Sequence, residues 1–155
     1  MRLVGVNGDA VELTIVGYQF PEIRDDPWDS NWVVIETTAT VDGQSWTSRD
    51  PCLVTFEVEQ LADWVEALGN ERLVESELDF MEPNLAFELE GVAGDLVRIR
   101  IWFECEARPA WKGKAPVRAR DFAACIAVPS KALLDATEDL KLQLAKYPTR
   151  VALPR

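Results

Sequence analysis

The side chains of this sequence that could do chemistry are mostly carboxylates, because the chain has no histidine. Without an imidazole, neither a Ser-His-Asp nor a Cys-His arrangement can form, and a His-ligated metal site is also excluded. An enzyme made from this chain would have to use carboxylates, lysine or tyrosine alone. We therefore predict a protein that is not an enzyme and that uses no cofactor.

A group of acids and tryptophans lies on one predicted loop, residues 17–32. It contains Asp25, Asp26, Asp29, Trp28 and Trp32. Calcium takes carboxylate oxygens on flexible loops, but this spacing lacks the glycine and the closing glutamate of an EF-hand. Loop aspartates also accept hydrogen bonds from neighbouring backbone N–H groups and so form turns. We predict that these aspartates form turns and hold no metal.

A pair of carboxylates can also hydrolyse glycosidic bonds. Glu104 and Glu106, with the aspartate loop, offer such a pair, although acids are frequent enough here to produce pairs by chance. The alternative to a binding protein is therefore a carboxylate-based small-molecule-binding domain or hydrolase. A deep pocket lined by tryptophan, with converging acids of raised pKa, would favour this alternative.

The net charge of −11 is unevenly distributed along the chain. Residues 1–90 contain twenty acids and four bases, whereas residues 91–155 contain seven acids and twelve bases. The stretch 57–90 alone holds eleven acids and a single base, Arg72. Such a field repels nucleic acid and attracts basic proteins. We expect no nucleic-acid partner, and the alternative to a binding surface is a solvated surface that serves solubility.

Hydrophobic periodicity predicts the elements that position these acids. Alternation with a period of two predicts strands at residues 2–6, 11–18, 32–41, 44–49, 74–81, 85–89, 97–105 and 122–128. Apolar residues at helical spacing predict one helix over residues 58–68 and another that starts after an N-cap at Ser130. Asp42-Gly43 predicts a tight type I′ hairpin, and Pro51 predicts the end of a strand.

These elements indicate one α+β domain over residues 1–155. Clean alternation is typical of antiparallel sheets with one face on the core, so we expect a curved antiparallel sheet or open sandwich with two helices. The three cysteines have no metal-site spacing, and Cys105 and Cys125 fall in strand patterns where free cysteine is usually buried. No apolar run is long enough to cross a membrane, and the N-terminus lacks a signal-peptide pattern, so we expect a cytoplasmic protein without a membrane partner.

Periodicity also predicts which acids face solvent. The predicted partner-binding residues on the first helix and the strand after it are Glu59, Asp63, Glu66, Glu75, Glu77 and Asp79. Asp25, Asp26, Asp29 and Trp28 form a possible second patch. Trp102 is out of phase with the apolar face of its strand, and tryptophan is a favoured interface anchor. We expect Arg and Lys of residues 108–120 to neutralise part of the acidic half, either within the molecule or between subunits.

Several short motifs resemble the WapI family of bacterial immunity proteins over residues 3–150. The most specific are Gly-Tyr-Gln-Phe-Pro at 17–21 and Asp-Asp-Pro-Trp-Asp-Ser-Asn-Trp at 25–32. Weaker ones are Asp-Pro-Cys-Leu at 50–53, Glu-Pro-Asn-Leu at 82–85, Arg-Pro-Ala-Trp at 108–111 and Tyr-Pro-Thr-Arg at 147–150. The resemblance implies a cytoplasmic antidote encoded beside a large secreted toxin of the polymorphic, contact-dependent type. It would bind and block the toxin's C-terminal domain, which in the family's namesake system is a nuclease acting on tRNA.

Overall fold

The computed structural model describes residues 1–153 and contains eight strands and two helices. The first antiparallel sheet has the order β1-β2-β3-β4, with β1 Arg2–Val4, β2 Ala10–Tyr18, β3 Trp32–Val41 and β4 Gln44–Val54. The second has the order β5-β6-β7-β8, with β5 Glu77–Asp79, β6 Leu85–Ala93, β7 Leu96–Phe103 and β8 Ala123–Pro129. The helices are α1 Thr55–Gly69 and α2 Ser130–Lys146. The predicted α+β open sandwich is confirmed.

The two sheets and both helices share one hydrophobic core. In the first sheet Ile15 pairs with Ile35, and in the second Ile99 pairs with Ile126, all with buried side chains. The ring of Trp64 on α1 lies 6.2 Å from that of Phe87, which joins the helix layer to the second sheet. No helix within residues 1–153 is long and apolar enough to cross a membrane.

The hairpin between β3 and β4 has the predicted turn. Asp42 has a φ of 50° and Gly43 a φ of 76°, and Val41 pairs with Gln44 on either side. Positive φ at both central residues is what a type I′ turn requires, and Gly43 adopts it without steric cost.

The prediction that Pro51 ends its strand is wrong, because β4 continues to Val54. Val33 pairs with Leu53 and Ile35 with Asp50, so two residues of β4 lie opposite the single residue Val34 of β3. This is a β-bulge on the edge strand of its sheet. Proline is tolerated there because an edge strand has one side without ladder partners and a bulge interrupts the ladder.

Both helices begin differently from the prediction. The first starts at Thr55, three residues early, because the Glu57 carboxylate accepts a hydrogen bond from the Val54 N–H at 3.1 Å and so satisfies the helix start. Ser130 is not the N-cap of α2 but its first residue. Its hydroxyl donates instead to the Asp95 carbonyl at 3.1 Å.

The predicted strand over residues 74–81 is shortened to Glu77–Asp79. Before β5, the Glu75 carbonyl accepts a hydrogen bond from the Trp64 indole at 2.9 Å. The backbone at Glu75 is therefore bonded to a side chain of α1 and not to a neighbouring strand. The prediction that Cys105 and Cys125 are buried is also wrong, since both thiols are exposed. Cys105 lies in a 3-10 turn after β7, and Cys125 is on the outer face of β8.

Candidate partner-binding site

An acidic groove lies between α1 and the segment 74–79 and has a volume of about 330 Å³. The α1 residues that line it are Gln60, Asp63, Trp64 and Ala67, whose spacing places them on one face of the helix. The other wall consists of Val74, Glu75, Glu77, Leu78 and Asp79. The groove thus contains four of the predicted partner-binding acids, and its remaining surface is mostly apolar.

Buried contacts hold the two walls of the groove in place. Trp64 is only 6% exposed, and its hydrogen bond to the Glu75 carbonyl joins α1 to the opposite wall. The Glu57 carboxylate accepts a second hydrogen bond, from the Met81 N–H at 2.7 Å, and so anchors the chain just after β5. The groove therefore exists without a partner.

The four carboxylates of the groove differ in their charge partners. Arg120 bridges Glu77 and Asp79 on the exposed face of β5, with Nη1 3.0 Å from Glu77 and Nη2 2.5 Å from Asp79. The expectation that the basic loop neutralises part of the acidic half is confirmed by this pair. Asp63 and Glu75 are exposed and form no ion pair with any cation in the described part of the chain. These two remain available to a basic partner.

Glu66 and Glu59 on α1 already have partners within the protein. Glu66 forms ion pairs with Lys141 of α2 at 2.7 Å and with Arg72 at 3.7 Å, and the hydrogen bond from Lys141 is the main reason that its pKa is lowered. Glu59 accepts a hydrogen bond from the Thr149 hydroxyl at 3.1 Å. Of the predicted α1 acids, Asp63 is therefore the one without an ion pair or side-chain hydrogen bond among the described residues. The Lys141 ammonium, which binds Glu66, is near enough to interact with the charges of Glu138 and Asp63 as well.

The aspartate loop meets the same helix face at its N-terminal end. The ring of Trp28, 43% exposed, packs edge-on against Phe56 in the first turn of α1, with ring centroids 5.7 Å apart. Phe56, Gln60, Asp63 and Ala67 follow one another at helical spacing. We call this stripe, from Trp28 to the groove, the α1 face, and at 1.5 Å per residue its helical part is about 16 Å long. The two predicted patches are thus adjacent.

Within the loop, Asp26 has a structural role. Its Oδ1 accepts hydrogen bonds from the Trp28 N–H at 2.8 Å and the Asp29 N–H at 2.7 Å, which closes the turn. Asp25 and Asp29 are exposed. Among residues 1–153, no group of three or more Cys, Asp and Glu side chains is arranged to hold a metal ion.

Trp102 lies outside the groove and is half-buried. Its indole donates to Glu88 at 3.2 Å, and the Arg100 guanidinium stacks 5.2 Å from its ring centroid. The register Asp79–Ala86–Trp102 places it on the same sheet face as Asp79, about 10 Å away across two strand spacings. Trp102 therefore lies at the border of the acidic surface, and its ring already contacts the side chains of Glu88 and Arg100.

Glu77 on β5 and Glu88 on β6 lie directly opposite each other, where like charges repel. Arg100 and Arg120 of the same chain relieve this repulsion, since Arg100 pairs with Glu88 and Glu90 while Arg120 pairs with Glu77. Of the acids that line the groove, Asp63 and Glu75 are therefore the two without an ion pair among the described residues.

Two residues of the quoted motifs, Arg150 and Asn31, fix the aspartate loop, a role that the sequence did not indicate. The Arg150 guanidinium lies 3.4 Å from the ring centroid of Tyr18 and donates to the carbonyls of Phe20 and Ile23 at 3.1 and 2.8 Å. The side chain of Asn31 is fully buried and bonds to the backbone of Pro27, Arg150 and Val151. The segment after α2 thus holds this loop, and hydrophobic periodicity contains no signal for such contacts.

A second cavity of about 440 Å³ lies in the basic loop and is lined by Cys105, Glu106, Arg108, Pro109, Ala110, Gly113, Lys114 and Ala115. Beside it, the Asn84 amide donates to Asp50 at 3.2 Å and Glu106 at 3.3 Å. Burial raises the pKa of Asp50, and the negative charge of Glu106 raises it further. The tetrapeptides 50–53, 82–85 and 108–111 therefore contribute to one region.

The fold is an α+β open sandwich whose candidate site is a surface groove of acids and apolar side chains, an arrangement suited to binding another protein. Comparison with protein families matches residues 2–148 to the immunity protein WapI-like family, so the chain belongs to that family. A search of curated proteins found no match to the sequence.

Proposed function

We propose that this protein is a non-enzymatic immunity protein that binds the toxic C-terminal domain of a cognate secreted toxin and neutralises it. Family membership carries the proposal. It would act in the cytoplasm of the producing cell, where an antidote meets the toxin before release or after delivery by a neighbour. An antidote of this kind requires no catalytic group, in agreement with the absence of histidine.

The α1 face and the groove are the proposed contact surface. Asp63 and Glu75 support this choice because they are exposed acids without an ion-pair partner among the described residues. A nuclease toxin fits such a surface, since a nuclease must attract phosphates and is therefore basic around its active site. An acidic surface would both steer the antidote to that site and cover it.

The proposal requires that a large secreted protein be encoded beside this gene. It is tested by expressing the C-terminal domain of that protein with and without the immunity protein. We expect growth arrest by the toxin domain alone and growth when both are made. Arrest in both cases would contradict the proposal.

The contact surface is tested by charge reversal at Asp63 and Glu75, with Lys at each position. Glu59, Glu66 and Glu77 are left unchanged in this variant because they bind Thr149, Lys141 and Arg120. The matched control reverses Asp42 and Asp95, which are also exposed. We expect the first variant to bind the toxin domain at least about tenfold more weakly at low salt, and the control to bind nearly as wild type. Equal binding by both variants would place the contact elsewhere.

The second candidate function is a carboxylate-based small-molecule-binding or hydrolase domain. The observation that favours it is the raised pKa of Asp50 beside Glu106 and the 440 Å³ cavity, because a proton-donating carboxylic acid needs a raised pKa. Substitution Asp50→Asn tests it. Under the immunity proposal this variant protects against the toxin as well as wild type, whereas loss of protection with unchanged toxin binding would favour the second function.

A further inference from the structure

We propose that the groove between α1 and segment 74–79 is an anchor pocket for one lysine or arginine side chain of the toxin. Its aliphatic stem would lie on the apolar floor, and its charge would lie between Asp63 and Glu75. This inference rests on the proposed function and names the chemistry by which the acidic surface recognises its partner.

The size of the groove suits a single long side chain. Its volume of about 330 Å³ is at the lower end of the range, roughly 300–1,000 Å³, of pockets that enclose small ligands. A helix or a strand of the partner would not enter it. The contact is therefore expected to be made by one projecting residue, while the rest of the partner lies across the α1 face.

The floor of the groove is apolar and the rim is acidic. Trp64, Ala67, Val74 and Leu78 provide the apolar surface, and the acids stand beside them. Lysine and arginine are the side chains that match such a surface, because their methylene stems bury against apolar groups while the charged head stays at the polar edge. A purely apolar side chain would match only the floor of the groove, and the acids of the rim would repel an acidic one.

An arginine of the protein already binds two of the acids that line this groove. Arg120 places its guanidinium between Glu77 and Asp79, and its backbone N–H donates to the buried Glu104 carboxylate at 2.9 Å. Its φ of 46° is in the left-handed region, which a non-glycine residue adopts only when the surrounding structure holds it there. Arg120 thus neutralises the β5 end of the groove and leaves the α1 end, with Asp63 and Glu75, for a cation from outside.

Apolar side chains at both ends of the surface complete the argument for a protein partner. Leu73, immediately before the groove wall, is fully exposed, and Trp28 at the far end of the α1 face is 43% exposed. Exposed apolar anchors around a charged contact are typical of protein interfaces. A small free cation would make no use of them.

The test compares Asp63→Asn/Glu75→Gln with the control Asp42→Asn/Asp95→Asn. Each variant removes two exposed acids. None of these four acids forms an ion pair among the described residues. Calorimetric titration with the purified toxin domain at low salt should give at least a tenfold higher Kd for the groove variant and less than a threefold change for the control. A third variant, Val74→Ser, tests the floor and should weaken binding without any change in charge.

A structural readout separates the groove from the rest of the surface. The Trp64 indole N–H points to the groove wall, so its resonance in the nitrogen-labelled protein should shift when the toxin domain is added. Substitution of individual toxin lysines and arginines should identify one whose loss abolishes that shift.

The outcomes distinguish this inference from the proposed function. If the wild-type protein binds the toxin domain but the groove variant and the control bind equally well, the groove assignment is overturned and the immunity function stands. If the Trp64 resonance shifts on self-association rather than with the toxin, a second copy of this chain is the occupant and the inference is wrong. If the toxin domain does not bind the wild-type protein at all, both proposals fail.

Discussion

The buried carboxylate of Glu57 joins the first turn of α1 to the chain that follows the groove wall. Its two oxygens accept hydrogen bonds from the Val54 and Met81 backbone N–H groups. Because a buried donor without a partner costs roughly 1–3 kcal/mol, this one side chain contributes to both the helix and the groove.

Glu57→Ala should therefore lower the free energy of unfolding by about 2 kcal/mol. The measurement is urea denaturation at neutral pH. Exposed Glu138 on α2 provides the comparison, since Glu138→Ala should change stability by less than about 0.5 kcal/mol. An equal effect of the two substitutions would show that the Glu57 hydrogen bonds contribute nothing to stability.

The pH dependence of stability should also carry the signature of Glu57. Burial raises its pKa above the ordinary value of 4.5, and the two backbone hydrogen bonds only partly oppose this. The stabilisation linked to its proton is thus complete below pH 4.5 and is lost as the pH rises through the folded-state pKa. We expect the stability of wild type relative to Glu57→Gln to decrease with rising pH across that interval in urea titrations. A relative stability that increases with pH would contradict the assignment.

At the residue scale, exposure could be predicted from the sequence but charge partners could not. Periodicity correctly placed Glu59, Asp63 and Glu75 at the surface. The ion pairs that occupy Glu66 and Glu77 join residues 75 and 43 positions apart in the chain. No local pattern reports contacts at such separation, so the uncompensated acids emerge only when the chain is folded.

At the element scale, the close contact between the end of β1 and strand β8 requires a glycine at position 5. A Cβ on Gly5 would lie 2.6 Å from Asn7 Oδ1 and 2.7 Å from the Cγ2 of Ile126, which is fully buried and cannot move away. The following residue, Val6, donates its N–H to the Ala127 carbonyl at 3.0 Å. The first sheet is therefore held against the second at this point.

Gly5→Ala should destabilise the protein by about 1–3 kcal/mol, the usual cost of overpacking. Gly17→Ala is the matched control, because a Cβ there meets no atom within 4 Å. Thermal unfolding of both variants checks the prediction. A Gly5 variant with the stability of the Gly17 variant would mean that the strands separate here without cost.

Element types were predictable because their signals are local. The strand β3 has the predicted bounds Trp32–Val41. The bounds of an element differ from the prediction where a contact with a distant residue determines the backbone conformation. One example is the hydrogen bond from the Trp64 indole to the Glu75 carbonyl, before the start of β5. The exposure of Cys125 could have been predicted from the sequence, because its alternation with Ala124 and Ile126, which are buried, places it on the outer face of β8. The strand period predicts its exposure better than the general preference of cysteine for burial does.

At the scale of the whole molecule, the two sheets and both helices contribute to one core. We therefore expect the chain to unfold as one cooperative domain, in line with the single domain that its predicted elements indicate. Far-ultraviolet circular dichroism and tryptophan fluorescence should give coincident urea transitions. Two separate transitions, one for each sheet, would divide the chain into two domains.

The arrangement of charge in space was only partly predictable. The acidic stretch 57–90 is visible in the sequence, but the groove arises because α1 and segment 74–79 face each other across Trp64. The adjacency of Trp28 to that helix arises from its contact with Phe56. Membership of the family agrees with the resemblance seen in the motifs. Several of these motifs contain residues that make structural contacts, such as the hydrogen bonds of Arg150 and Asn84.

The central claim is that the protein neutralises its toxin by binding and not by chemistry. The most direct measurement is a titration of the purified toxin domain's activity with increasing amounts of this protein. Neutralisation by binding predicts residual activity that falls in proportion to the antidote added and is lost once the toxin is saturated, with weaker inhibition at high salt. Inactivation of many toxin molecules by one molecule of this protein, or full toxin activity in a large excess of it, would contradict the claim.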